Sequence, residues 1–211
     1  MNAFEAPRAV EGIDETFDAF EVAPLTPVIG AEIRKFRLAK VDDSAAGQLR
    51  RALWRYGVLF LKDQHLSHAE LVEAGKLFGT ELERHTFGKT LADEGYPEVL
   101  VIEQFESDRS KTTTDIWHHD VTGRKHPNLV SVLQATEVPF GADTMWASAS
   151  AAFEWLPTPL KRLFLELDID HDAVYMALRH DFGSKEVLDK LSQMDESNSH
   201  PAVIRHPETG R

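Results

Sequence analysis

Apolar positions along this chain fall into two rhythms. In EVAPLTPVIGAEI (21–33) they form extended pieces, interrupted by Pro24, Pro27 and Gly30. Asp42, Asp43 or Ser44 can each cap a helix running to about Tyr56, with Leu49, Leu53 and Trp54 on one stripe and Gly57 closing it. VLFLKD (58–63) reads as a short apolar strand. Ser67 then caps a second helix, HAELVEAGKLFG, which ends at Gly79. This alternation of strand and helix predicts an α/β or α+β domain.

The second half continues with a strand, PEVLVIEQF (97–105), a polar loop, ESDRSKTTTD, and the run WHHDVT (117–122). In HPNLVSVLQATEV, Leu129, Ser131 and Leu133 alternate with Val130, Val132 and Gln134, which predicts another strand. Gly141 turns the chain into ADTMWAS, and Ser148 or Ser150 caps a helix through Trp155 and Leu156. Thr158-Pro159 starts a further helix, since proline suits the first helical position. Residues 184–194 read as helical, and SNSHPAVIRHPETGR as a short strand and a turn. Residues 1–20 show no period and are expected to form a flexible arm ahead of one domain over 21–211. No internal repeat or interdomain linker interrupts that domain.

Composition narrows the chemistry. The net charge of -12 opposes binding to phosphate backbones, so nucleic acid is not an expected partner. The 211 residues include no cysteine, which removes disulfides, thiolate metal sites and thiol catalysis, and fits a reducing compartment. A metal would have to be held by histidine and carboxylate. The N-terminus has acids and no apolar signal core, and runs such as Val58–Leu61 are too short to span a membrane. The expectation is a soluble, cytoplasmic protein with no membrane partner.

WHHDVT offers histidine and carboxylate at spacing i, i+2. On a strand, His118 and Asp120 would face one way and His119 the other. The spacing alone is weak evidence. Ten histidines and 35 acids in 211 residues give about 1.7 such pairs by chance, and three occur: His68/Glu70, His118/Asp120 and His206/Glu208. The first lies on an expected helix, where i and i+2 do not share a face. The third lies in a Pro/Gly turn.

Context separates the middle pair from the other two. Trp117 precedes it, Thr122 follows, and EVPF then GADTMW come after the next expected strand. With IGAEI, YGVLFLKDQ, LSHAELVEAGKLFGT and HPAVIRHPETGR in order, the chain from about residue 22 to 211 resembles the Fe(II)/2-oxoglutarate-dependent taurine dioxygenase (TauD/TfdA) family. That resemblance implies an α+β fold with a double-stranded β-helix (jelly-roll) core and flanking helices. It implies His118 and Asp120 as iron ligands, with His119 pointing away, and Thr144 as a partner of the 2-oxoglutarate carboxylate. A carboxylate at Asp120 implies hydroxylation or oxidative cleavage rather than halogenation. His85 lies near the family's substrate-contacting histidine, with a loop histidine as the equal alternative. Thr114 stands where taurine dioxygenase has a substrate-side asparagine, which argues against taurine itself. Trp117 and Trp146 are expected in the core or a pocket wall. The implied co-substrates are 2-oxoglutarate and O2, and the implied substrate a small sulfonate, sulfate ester or aryloxy acid. A homo-oligomer stays open, since relatives often associate.

The family's second iron-binding histidine and its 2-oxoglutarate-pairing arginine belong to a later segment, and neither occurs before Arg211. The resemblance therefore implies a jelly roll without its C-terminal strands, poorly stable and weak or inactive alone. Two alternatives stay open beside the dioxygenase. One is a non-catalytic binding module or relic of the same fold. The other is a non-haem metal protein with a different third ligand, such as a zinc or manganese site.

Overall fold

The computed structural model describes residues 16–85, 88–103, 116–179, 184–194 and 196–210. The chain divides into two compact units. The first takes in the chain up to Glu81, Val132–Lys161 and the segment from Arg205 on; the second comprises Leu82–Ser131 and Arg162–Ile204.

In the first unit, β1 (Glu21–Pro24) pairs antiparallel with β2 (Ala31–Arg34), and β2 pairs parallel with β3 (Leu59–Phe60). Gly30 takes φ +91 where β2 begins, in the left-handed region that costs glycine least. Helix α1 (Asp43–Tyr56) connects β2 to β3, the usual route between parallel neighbours. Asp42 accepts from the Ala45 N–H at 2.8 Å to cap it, and Gly57 at φ +71 ends it. The buried stripe is narrower and smaller than the sequence suggests. Ala45, Ala46, Leu49 and Ala52 face inward, whereas Leu53 and Trp54 are half-buried. Phe20, Ile33, Leu49 and Ala52 form the core, with Phe17, Phe36, Leu59 and Leu61 packed around them.

The last residues of the expected 1–20 arm pack onto the first unit. Residues 1–15 lie outside the described residues, but Phe20 is buried and stacks on Phe17 at 5.5 Å. The Gln48 side chain accepts from the Asp18 and Ala19 N–H groups, so an amide on α1 ties this segment down. Helix α2 (His68–Lys76) opens on a capping box between Ser67 and Glu70. Helix α3 (Ala149–Trp155) is capped by Ser148, one of the two expected caps, and α4 (Thr158–Phe164) starts at Thr158, one residue before the proline expected to open it.

The strand expected over 126–138 does not form. A strand needs a ladder partner, and among the described residues none pairs with this segment. One side chain substitutes for a rung. Gln134 accepts from the Leu66 N–H and donates to the Leu66 carbonyl, both at 3.0 Å. Leu129, Leu133, Phe140 and Met145 along and beyond the segment are exposed.

Among the described residues, the second unit holds two pairs of strands. β4 (Thr90–Leu91) pairs with β5 (Tyr96–Leu100), the strand expected at PEVLVIEQF, whose last two residues lie outside the described residues. β6 (Asp168–Asp172) pairs antiparallel with β7 (Ser197–Pro201) in unbroken register. The acidic, alternating DIDHD gives little apolar signal, so β6 escapes a reading based on hydrophobic pattern; α5 (Ala173–Arg179) follows it directly. Helix α6 (Lys185–Leu191) is capped by Ser184. Among the described residues, no helix is long and apolar enough to cross a membrane.

Candidate metal centre

WHHDVT is not a strand. Residues 120–123 form a turn, closed by the Arg124 N–H donating to the Val121 carbonyl at 3.1 Å. Val121 sits at φ +48, unusual for a β-branched residue. Strand alternation therefore cannot be what brings His118 and Asp120 together, yet they converge. His118 Nε2 lies 3.5 Å from Asp120 Oδ1.

The far side of each group is tied. His118 Nδ1 lies 2.8 Å from the Ile116 carbonyl oxygen. A carbonyl only accepts, so Nδ1 carries the proton, and in the neutral ring Nε2 presents a lone pair. The Ser131 hydroxyl donates to Asp120 Oδ2 at 3.1 Å, leaving Oδ1 on the His118 side. A lone pair and a carboxylate oxygen thus face each other with no donor between them. A cation resolves that arrangement; protonation of the ring is the other way to do so. A metal-bound histidine usually gives its second N–H to a carbonyl in this manner. Both side chains are about half exposed, at 48% and 57%, so the pair is open to a ligand.

His119 is turned to a backbone partner, with Nδ1 3.3 Å from the Asp120 carbonyl oxygen, and it is exposed. Trp117 is 68% exposed, so it is not core; the turn leaves its ring without a packing layer. Trp146, in the first unit, meets Phe60 edge-on at 5.2 Å and is 44% exposed, so it is not core either. Thr144 also belongs to the first unit and is exposed. Thr114 and His180 lie outside the described residues.

His85 shares the second unit with the pair. Its Nδ1 accepts from the Gly88 N–H at 2.8 Å, which puts the proton of the neutral ring on Nε2. Burial, aided by the positive charge of Arg124, lowers its pKa from the ordinary 6.5, while Asp120 and Glu196 pull the other way. The neutral donor form is favoured.

The other two His-x-Glu spacings have structural uses. Glu70 accepts from the Ser67 N–H and hydroxyl to complete the α2 cap. His206 Nδ1 accepts from the Glu208 and Thr209 N–H groups, and its ring packs on Trp54 at 5.1 Å. Among the described residues, no third His, Cys, Asp or Glu completes a metal-holding group with His118 and Asp120. Sequence reasoning missed Ser131 as a partner of Asp120. Eleven residues separate them, and no spacing rule links them across a turn.

Comparison with known proteins bears on this geometry. The family model described as "Taurine catabolism dioxygenase TauD, TfdA family" matches residues 21–211. An alkylsulfatase of Acinetobacter baylyi is 31% identical over 204 residues, which cover 90% of this chain and 61% of the relative. An alpha-ketoglutarate-dependent sulfate ester dioxygenase of Pseudomonas putida is 29% identical, covering 97% of this chain and 66% of its own. The solved structure of a taurine dioxygenase from Burkholderia xenovorans superposes with a TM-score of 0.65 at 31% identity, over 91% of this chain and 61% of that one. The chain spans about half to two thirds of the length of the curated relatives it matches.

Proposed function

Because the chain belongs to the TauD, TfdA family of taurine catabolism dioxygenases, we propose that His118 and Asp120 are two protein ligands of an Fe(II) centre in a 2-oxoglutarate-dependent dioxygenase. The observation that carries this reading is the convergence of His118 Nε2 and Asp120 Oδ1 at 3.5 Å, each group fixed from behind. Imidazole nitrogen and carboxylate oxygen are the donor set of non-haem Fe(II).

Iron with bound 2-oxoglutarate and O2 supplies the oxidising power for hydroxylation, with 2-oxoglutarate decarboxylated to succinate. The chain's own residues do the positioning. The Ile116 carbonyl holds the His118 proton on Nδ1 and keeps Nε2 available. Ser131 fixes the Asp120 carboxylate so that Oδ1, not Oδ2, is presented. Thr144 is the hydroxyl offered to the 2-oxoglutarate carboxylate, which needs donors once desolvated. His85, neutral with its proton on Nε2, suits the anionic head of a substrate as a hydrogen-bond donor. The sulfate ester and sulfonate chemistry in the relatives' names supports a small acid of that class, with aryloxy acids as a third candidate after the phenoxypropionate dioxygenases among them. Hydroxylation beside the heteroatom makes that bond labile.

Titration with Co(II), an air-stable substitute for Fe(II), tests the ligand assignment. The wild-type chain is expected to bind, and His118→Ala and Asp120→Ala each to weaken binding at least tenfold. Binding unaffected by both would refute it. Added 2-oxoglutarate is expected to perturb the bound-Co(II) spectrum. A chain that binds neither would instead be a non-catalytic member of the family.

A further inference from the structure

The turn that follows Asp120 is held by a polar staple. The Gly123 carbonyl accepts from the Asn198 side-chain amide at 2.8 Å, and the Arg124 carbonyl lies 3.0 Å from His200 Nε2. Arg124 Nε donates to Glu196 Oε1 at 2.8 Å, and the same guanidinium pairs with Glu83. Gly123 packs so closely that a Cβ there would collide with the Glu196 carbonyl oxygen. All these partners lie in the second unit, and three of them, Glu196, Asn198 and His200, lie on or beside β7.

Two features set this staple apart from surface ion pairs. The Arg124 and Glu196 side chains are only 14% and 9% exposed, so their pairing is poorly screened by water. Arg124 also pairs with two carboxylates through one planar group, and its Nε hydrogen bond to Glu196 fixes direction as well as distance. Glu83 lies two residues before His85, so one side chain ties the His118/Asp120 turn, the His85 segment and the start of β7 together.

We propose that Arg124 and Glu196 are positioning residues for the His118/Asp120 pair, holding the turn after Asp120 against β7 so that the two donor atoms meet. Neither touches the metal position. The inference rests on the metal reading above, and its test separates the two.

The test measures the Co(II) dissociation constant and the d–d absorption spectrum of the bound ion in the full chain. Far-UV circular dichroism at the same temperature checks that each variant is folded. Glu196→Ala is expected to raise the dissociation constant about tenfold and shift the spectrum, the size seen for outer partners of metal ligands. Glu196→Gln keeps an acceptor for Arg124 Nε and is expected to stay within about twofold of wild type. Arg124→Lys keeps the charge but loses the planar fork, and is expected to raise the constant severalfold. Lys89→Ala, which breaks the exposed Lys89–Glu103 pair in the same unit, is expected to leave binding unchanged. Where Glu196→Ala does not fold, Arg124→Lys carries the test. Wild-type constants and spectra in folded Glu196→Ala or Arg124→Lys, with His118→Ala still abolishing binding, overturn this inference alone. A wild-type chain that takes up no Co(II) overturns it together with the metal reading.

Discussion

The segment from Phe17 to Leu61 and the segment from Ile116 to Gln134 are ordered by different forces. The first is built by burial: Phe20, Ile33, Leu49 and Ala52 lose nearly all contact with water, and the sheet and α1 close around them. The second leaves Trp117, Leu129 and Leu133 exposed and is held by polar contacts at defined points: Ile116 to His118, Ser131 to Asp120, β7 to Gly123 and Arg124, Gln134 to Leu66. Burial is non-directional and supplies stability. Hydrogen bonds supply less net stability but fix direction. The candidate site lies in the segment where direction is fixed.

Changes of similar size in the two segments should therefore have opposite signatures. The largest stability loss is expected for Leu49→Ala, about 2–5 kcal/mol by urea unfolding, because Leu49 is fully buried in the core. A loss under about 1 kcal/mol would show that burial there is not the main support. Gln134→Ala removes both bonds to the buried Leu66 backbone and should cost roughly 1–3 kcal/mol. Ser67→Ala, which removes an exposed cap on α2, should cost about 1 kcal/mol by thermal unfolding. Ser131→Ala should change the unfolding midpoint least of all, yet weaken Co(II) binding severalfold. A midpoint that falls while affinity holds would reverse the contrast.

Acid supplies a further probe. Burial lowers the pKa of His206, whose Nδ1 accepts two N–H groups and cannot do so once protonated. A lowered folded-state value means that the unfolded chain takes up the proton first. The stability His206 contributes is therefore intact above about pH 6.5 and falls as pH drops from there through the folded-state pKa. Unfolding midpoints compared at pH 7.5 and 5.5 should drop less in His206→Asn than in wild type.

The same contrast explains what the sequence disclosed. Period and caps located α1, α2 and α3, because burial leaves a periodic trace and caps act within a few residues; Pro24, Pro27 and Gly30 marked off extended pieces at β1 and β2 but not their pairing. The α1 stripe was misjudged because alanines, not Leu53 and Trp54, fill its buried face. The 126–138 segment alternates like a strand, but pattern cannot show whether a partner exists. His118 and Asp120 were legible as a motif, although the strand invoked to align them is absent. The contacts that shape the site join residues such as Arg124 and Glu196, 72 positions apart, and leave no local trace.

Val121 gives the site an adaptive tension. A β-branched residue at φ +48 raises the energy of the folded chain by about 1–2 kcal/mol, which glycine at that position would largely avoid. A more stable protein is thus one substitution away, directly beside Asp120. Selection for heat resistance alone should find Val121→Gly early, and a backbone so loosened next to Asp120 should hold metal less well. Selection for metal binding should keep the valine. Paired measurement of melting midpoint and Co(II) affinity in Val121→Gly would show whether the two objectives pull apart at this residue.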